Sequence, residues 1–251
     1  MPKFAAIGPR SVAGCAAKYV MPGCLLGRYG VMETPKVLTP LQIKFLRIFF
    51  EQLVGQEFFL TGGTALAEFY LHHRYSQDVD LFTVNEDAFM QVGASIPGIA
   101  ARLGAQFEER VATLTFHQVF IQVPGEPSLK IDLVRDVGPQ FGEHLRFENL
   151  IVDSEFNIAV NKVTALFGRA AMKDFIDLYF LLKKGYDLDQ LIPLAKEKDP
   201  GFSEFYFAVM LRHHQRVSSL PQMLRPLPIE TFHEFFEALA RQIMRQAKPP
   251  E

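Results

Sequence analysis

Two aspartates stand within an otherwise apolar segment near the middle of the first half of the chain. Asp78 and Asp80 flank Val79 in the sequence DVDLF. Because strand side chains alternate between faces, both carboxylates project from one face, about 6–7 Å apart along the chain. Mg²⁺ prefers oxygen ligands, and one or two carboxylates with substrate phosphates commonly hold it in nucleotide chemistry. The pattern therefore predicts a cation site, with a solvated strand edge as the alternative.

A third acid, Asp132, interrupts a second apolar segment, LKIDLV. If this strand lies beside VDLF, the third carboxylate joins the first two. Buried unpaired acids are costly, so a shared metal explains all three residues economically. The alternative is an acid at a strand end that pairs with Lys130 or Arg135.

A glycine pair precedes these acids, between a predicted strand and a predicted helix. Gly62 and Gly63 would leave backbone N–H groups free at the helix start, where phosphate oxygens bind readily. Thr61 and Thr64 stand beside the pair and add hydroxyl groups. A tight turn that needs glycine only for steric reasons is the alternative interpretation.

Three basic residues follow in the second half of the chain, at positions 162, 169 and 173. Lys162, Arg169 and Lys173 would share one face of a continuous helix, and they would still point toward one corner if a turn at Gly168 splits it. Such a corner could hold a triphosphate. Taken alone, the segment KDFID is more often typical of a solvated, salt-bridged helix surface.

The elements around these residues indicate an α/β (α+β) fold. Thr39 and Pro40 have the character of an N-cap and a first helical residue before LQIKFLRIFFEQLV. Strands and helices then alternate up to about residue 150, and helical periods dominate afterwards. We expect a small mixed sheet flanked by helices, with a core at 32–150 and an α-helical C-terminal lobe at 151–251.

The composition excludes some classes of protein. The chain has 251 residues, a formal net charge of -2 and a pI near 6.4, which argues against a broadly basic nucleic-acid-coating protein. No apolar run reaches the roughly 18 residues of a membrane span, so no membrane association is expected. Cys15 and Cys24 are the only cysteines, and their scarcity favours a reducing, cytoplasmic location. Residues 1–31 are predicted to be a dispensable extension, because METPKVLTP after them resembles an ordinary protein start.

Taken in order, these motifs resemble the AbiEii/AbiGii family of nucleotidyltransferases, a branch of the DNA-polymerase-β-like superfamily that includes the mycobacterial MenT toxins. The resemblance covers roughly residues 40–185. Four motifs carry it: Gly62-Gly63 followed by Ser76, Asp78 and Asp80; the lone Asp132; Lys162 before Ala165-Leu166; and Arg169, Lys173, Asp174 and Asp177 in GRAAMKDFIDLYFL.

The resemblance implies a Mg²⁺-dependent (or Mn²⁺-dependent) enzyme that moves a nucleotide from a nucleoside triphosphate to RNA, with tRNA as the expected acceptor. It implies catalytic roles for Asp78, Asp80, Asp132, Lys162 and one of Asp174 and Asp177, the latter favoured. A nucleotide site would comprise Gly62, Gly63, Thr64, Ser76, Lys162, Arg169, Lys173 and Asp174. It also implies an AbiEi-type antitoxin as partner. An antibiotic-modifying nucleotidyltransferase and a non-catalytic nucleotide-binding protein are the alternatives.

Overall fold

The computed structural model describes residues 29–30 and 37–247 of the chain. Within them, eight strands form one mixed sheet in the order β1-β7-β8-β2-β3-β6-β5-β4. The strands are β1 Tyr29–Gly30, β2 Phe59–Thr61, β3 Val79–Thr83, β4 Gln106–Ala112, β5 Phe116–Gln122, β6 Leu129–Arg135, β7 Leu145–Phe147 and β8 Leu150–Val152. The α/β class with a mixed sheet is therefore confirmed.

Helices flank the sheet in the first half and make up most of the second half. The α-helices are α1 Pro40–Glu51, α2 Gly62–Ala65, α3 Glu86–Val92, α4 Ile96–Leu103, α5 Glu155–Arg169, α6 Met172–Lys184, α7 Leu188–Lys198, α8 Glu204–Leu211 and α9 Ile229–Gln246. A π-helical turn, Leu66–Leu71, continues α2, and short 3-10 turns occupy Val54–Glu57, Gly93–Ser95 and Arg212–Arg216.

Helix α1 begins where the sequence predicts. The Thr39 hydroxyl accepts a hydrogen bond from the Gln42 backbone N–H, and the Gln42 side chain accepts one from the Thr39 N–H. This capping box satisfies two of the backbone donors that a helix start leaves free. The helix then buries Phe45 and Phe49 against the sheet, where Phe58 meets Phe49 edge to face.

The two central strands β3 and β6 run parallel, and their residues alternate between a buried and a half-buried face. Val79 and Leu81 on β3, with Ile131 and Leu133 on β6, have no exposed side-chain surface. The opposite face of both strands carries Asp80 and Asp132, which stand directly opposite each other in the register. The core thus fixes one face of the pair, and the acids occupy the other.

Helices α5, α6 and α9 form the core of the second half. Phe175 on α6 meets Phe232 and Phe236 on α9 edge to face, with ring centroids 6.2 and 5.0 Å apart. Strand β8 extends to Val152, so the sheet continues slightly past the boundary expected between core and helical lobe. Of the expected extension, 1–28 and 31 lie outside the described residues, while Tyr29–Gly30 pair with β7 at the sheet edge.

Candidate active site

The glycine pair contacts the residues that carry charge. Gly62 has φ of +68°, a conformation that favours glycine, and a Cβ there would lie 2.0 Å from Asp80 Oδ2. A Cβ on Gly63 would lie 2.3 Å from Arg74 Nη2. Both positions therefore require glycine for close approach, because any side chain would displace Asp80 or Arg74.

Thr64 and Ser76 hold this turn against the strand that bears the acids. The Thr64 hydroxyl lies 2.7 Å from the Ser76 hydroxyl and also donates to the Asp78 backbone carbonyl. Both side chains are buried. Thr61 instead donates to Asp153 at 2.6 Å, away from the predicted nucleotide residues. Thr64 and Ser76 therefore support the backbone of the turn.

The three predicted acids lie on the open face of β3 and β6. Asp132 is 15% exposed and Asp78 is 35% exposed. Burial raises the pKa of the Asp80 carboxyl to about 6 against the opposing charge of Lys162, and the charges of Asp132 and Asp78 raise this pKa further. The three carboxylates therefore influence one another across the two strands.

Lysines neutralise part of this negative charge. Lys130 Nζ lies 2.7 Å from Asp132 Oδ2 and 3.9 Å from Asp78 Oδ2. Lys173 Nζ lies 3.5 Å from Asp78 Oδ2, and Gln118 donates to Asp132 Oδ1 at 3.1 Å. The alternative pairing of Asp132 with Lys130 is therefore real, and it occurs within the acid cluster.

The donor set fits a hard divalent cation that also binds phosphate oxygens. Within 29–30 and 37–247, no three His, Cys, Asp or Glu residues are grouped so that they could hold a metal ion by themselves. Two carboxylates plus substrate phosphates are nevertheless the usual protein contribution to a Mg²⁺ site. Asp80 and Asp132 stand directly opposite each other on the open face, so their carboxylates are placed to share such a cation.

Lys162 lies on α5, where two buried carboxylates hold its ammonium group. Its Nζ is 2.8 Å from Asp174 Oδ1 and 2.8 Å from Asp177 Oδ2, and its side chain is 8% exposed. Burial would lower the pKa of this ammonium, but the charges of Asp177 and Asp174 raise the pKa above its ordinary value. Lys162 is therefore a permanent cation at this position.

Arg169 ends α5, and the chain turns through Ala170 before α6 begins, so the three basic residues do not share one continuous helix. Arg169 donates to Asp174 through Nε at 2.7 Å and Nη2 at 3.1 Å. Lys173 reaches Asp78 from the first turn of α6. The break lies at Ala170 and not at the predicted Gly168, which is still within α5, and Lys162 and Arg169 both meet Asp174 at this corner.

Sequence reasoning missed two residues of this cluster, His73 and Arg74. Arg74 donates to Asp177 through Nε at 2.7 Å and Nη2 at 2.9 Å, and His73 Nε2 lies 2.7 Å from Asp177 Oδ1. Burial would raise the pKa of Asp177, but the charges of Lys162 and Arg74 hold this pKa well below its usual range. No local sequence signal links Arg74 to Asp177, because 103 residues separate them in the chain.

The segment before α9 secures the turn that carries Arg74. Met223 forms a β-bridge with Arg74, and the backbone N–H groups of Leu224 and Arg225 both donate to the His73 carbonyl. The guanidinium of Arg225 lies 4.9 Å from the centre of the Phe180 ring. The segment before α9 thus holds the backbone of His73 and Arg74 in place.

The mixed sheet thus brings together acids on two adjacent strands, a glycine turn against one of them and a buried lysine from α5. The chain belongs to the AbiEii family, because the family model "Nucleotidyl transferase AbiEii toxin, Type IV TA system" matches residues 44–248. The protein is therefore a nucleotidyltransferase of a toxin family, as the motifs predict.

Individual relatives share part of this sequence or its fold. A protein of Aquifex aeolicus (strain VF5), aq_aa25, is 30% identical over 155 residues, which span 58% of this chain and 68% of that protein. An H. pylori structure described as a nucleotidyltransferase has a TM-score of 0.53 at 19% identity, over 83% of this chain and 97% of that one.

MenT4, a nucleotidyltransferase toxin from Mycobacterium tuberculosis, has a TM-score of 0.50 at 17% identity, over 81% of this chain and 80% of MenT4. At such identities the two solved structures show the shared fold alone. Among the helices described, none combines the length and the apolar character needed to cross a membrane.

Proposed function

We propose that this chain transfers a nucleotide from a nucleoside triphosphate to RNA, with tRNA as acceptor, in a reaction that needs Mg²⁺ or Mn²⁺. The observation that carries the proposal is the placement of Asp80 opposite Asp132, with Gly62 against Asp80 and Lys162 buried nearby. Carboxylates, a phosphate-accepting turn and a fixed cation are the parts that phosphoryl transfer requires.

Each part has a proposed role. Asp78 and Asp80 would hold the cation, which neutralises phosphate charge when bound, and Asp132 would complete this set or take the proton of the acceptor hydroxyl. The Gly62-Gly63 turn would receive the triphosphate through backbone N–H groups. The acceptor oxygen bonds to the α-phosphorus while the bond between that phosphorus and the pyrophosphate oxygen breaks. The proton of the acceptor hydroxyl passes to the base.

The basic corner would oppose the charge of the departing pyrophosphate. Lys173 is the best placed for direct contact, because its side chain is 46% exposed and its ammonium lies 3.5 Å from Asp78. Lys162 is committed to Asp174 and Asp177, so its positive charge acts from a fixed position. Arg169 is similarly fixed by Asp174 although its side chain is 67% exposed.

The proposed cellular role rests on the family to which the chain belongs. Toxins of a type IV system act beside an antitoxin, so we propose an AbiEi-type antitoxin as the physiological partner and a role in abortive infection and phage defence. The proposed substrates place the reaction in the cytoplasm. We also propose that 32–150 form the catalytic core and that 151–251 form a helical lobe that closes the site.

The decisive experiment incubates purified protein with Mg²⁺, total RNA and each α-labelled nucleoside triphosphate in turn. Label should enter RNA with the wild type and fail to enter with Asp80→Ala or Lys162→Ala. Lys184→Met is the matched control, because Lys184 pairs with Glu155 at the far end of α6 and should keep full activity. Label that enters an aminoglycoside but no RNA would overturn the proposed acceptor.

A second experiment separates turnover from binding alone. Divalent cation should raise the melting temperature of the wild type more than that of Asp80→Ala. Equal shifts would contradict a metal site at Asp80. Nucleotide binding with no transfer to any acceptor would instead support the non-catalytic alternative.

A further inference from the structure

Lys130 is a charged residue of the acid cluster to which the proposed reaction assigns no role. It lies two residues before Asp132 on β6, so both side chains share the open face of the sheet. Its Nζ lies 2.7 Å from Asp132 Oδ2 and 3.9 Å from Asp78 Oδ2. One ammonium group therefore bridges acids that come from two different strands.

The Lys130 ammonium lies where a metal ion would be expected to compensate the charge of the carboxylates. Three carboxylates crowd one face of β3 and β6, and Lys130 supplies compensating positive charge to them. Mg²⁺ binds carboxylate oxygens at about 2.0–2.1 Å, closer than any ammonium approaches. With Asp132 as the third ligand beside Asp78 and Asp80, a divalent cation would take the oxygens that Lys130 now contacts, and the two cations would repel each other.

The exposure of the Lys130 side chain and the pairing of its backbone limit where the displaced ammonium can move. Its side chain is 30% exposed, so the ammonium can swing without breaking the core. Its backbone stays paired with Phe120 on β5, so the charge cannot leave the neighbourhood of the site. The anion that reaches the site together with the metal is the triphosphate.

We propose that Lys130 is a displaceable internal cation: it holds Asp132 and Asp78 while no metal is bound, and it moves to the substrate phosphates when a divalent cation takes its place. The inference rests on the proposed function, because it concerns the same carboxylates and the same substrate. It makes metal binding without nucleotide weak, and it couples the two binding events through one side chain.

The test measures Mn²⁺ binding by electron paramagnetic resonance, without nucleotide, for the wild type, Lys130→Met, Lys130→Arg and the distant control Lys184→Met. Lys130→Met should bind Mn²⁺ at least about threefold more tightly, since it removes a competing charge. Lys130→Arg and Lys184→Met should stay near the wild type. Unchanged or weaker Mn²⁺ binding by Lys130→Met would overturn the proposal.

A second measurement follows the other half of the exchange. With saturating Mn²⁺, Lys130→Met should bind a non-reacting triphosphate analogue about fivefold or more weakly than the wild type does, and equal affinity would overturn the transfer of the ammonium to phosphate. The two hypotheses fail differently. If the wild type transfers label but Lys130→Met leaves both affinities unchanged, only the inference fails. If the wild type binds no Mn²⁺ and transfers no label, the proposed function fails with it.

Discussion

Arg74 and Asp177, 103 residues apart in the chain, form a two-pronged ion pair that is almost fully enclosed. Nε and Nη2 of Arg74 donate at 2.7 and 2.9 Å to the two oxygens of Asp177, and neither side chain is more than 1% exposed. The guanidinium also packs against Gly63. This pair therefore joins the glycine turn of the first half to the helices of the second half.

We expect Arg74→Ala to lower the free energy of unfolding by about 3–5 kcal/mol, because it removes one partner of a buried pair and leaves a cavity. Urea unfolding at neutral pH measures the change. Arg102→Ala is the control, since Arg102 pairs with Glu51 where both side chains are about half exposed, and it should cost under about 1 kcal/mol. Similar costs for the two variants would refute the structural role given to Arg74.

Gly62→Ala should disturb the acid cluster directly. A Cβ at this position would lie 2.0 Å from Asp80 Oδ2, and the positive φ adds strain of about 1–3 kcal/mol. We expect transfer activity to be lost and the cation-dependent rise in melting temperature to shrink. Gly98→Ala offers the contrast, because a Cβ there meets nothing within 4 Å inside α4, so it should leave activity unchanged and stabilise by up to about 1 kcal/mol.

The acids of the candidate site could be predicted from the sequence more completely than the strands and contacts that hold them. The acids on β3 and β6 were predictable, because charge inside an apolar alternation is visible without a structure. The placement of VDLF beside LKIDLV was predictable as well, and the register sets Asp80 opposite Asp132. Local sequence patterns were therefore enough to predict a strand and its acids where the charges interrupt an apolar alternation.

Strands β4, β7 and β8 were not predicted as strands. Strand β4, Gln106–Ala112, is exposed along its whole length and shows no apolar alternation. Strands β7 and β8 have three residues each, too few for a periodic signal. Arg74 was missed for a different reason: arginine is rarely buried, and its partner lies on a distant helix, so only the tertiary structure reveals the pair.

The dependence of stability on pH provides a test at Asp153, a buried acid at the end of β8. Burial raises the pKa of Asp153 to about 6, although Thr61 and Asn157 donate hydrogen bonds to it. In the unfolded chain the pKa is about 3.9. Between about pH 4 and pH 6 the folded state thus holds a proton that the unfolded state has released, so this group lowers stability as pH rises through that window.

Asp153→Asn should remove this contribution. The unfolding free energy of the variant relative to the wild type should rise between about pH 4 and pH 6 by about 2 kcal/mol, which urea unfolding at several pH values measures. The difference between the two proteins cancels the groups that both share. A pH-independent difference would mean that the pKa of Asp153 is the same in the folded and unfolded states.

Asp174 and Asp177 both contact Lys162, and their other partners predict different consequences of neutralising each one. Asp177 also accepts from Arg74 and His73 in the interior, whereas Asp174 accepts from Lys162 and from Arg169, whose side chain is 67% exposed. Asp177→Asn leaves two buried cations with one partner fewer and should cost about 3 kcal/mol or more.

Asp174→Asn should cost less stability, because water can solvate the freed Arg169. Its effect should fall on catalysis instead, since Lys162 and Arg169 lose the group that aims them, and small displacements of such charges lower kcat by about 10-fold to 100-fold. Urea unfolding together with kcat for both variants separates the roles. If Asp174→Asn keeps the wild-type kcat while Asp177→Asn stays folded and loses it, Asp177 is the acid that the reaction uses, and Asp174 serves only the end of α5.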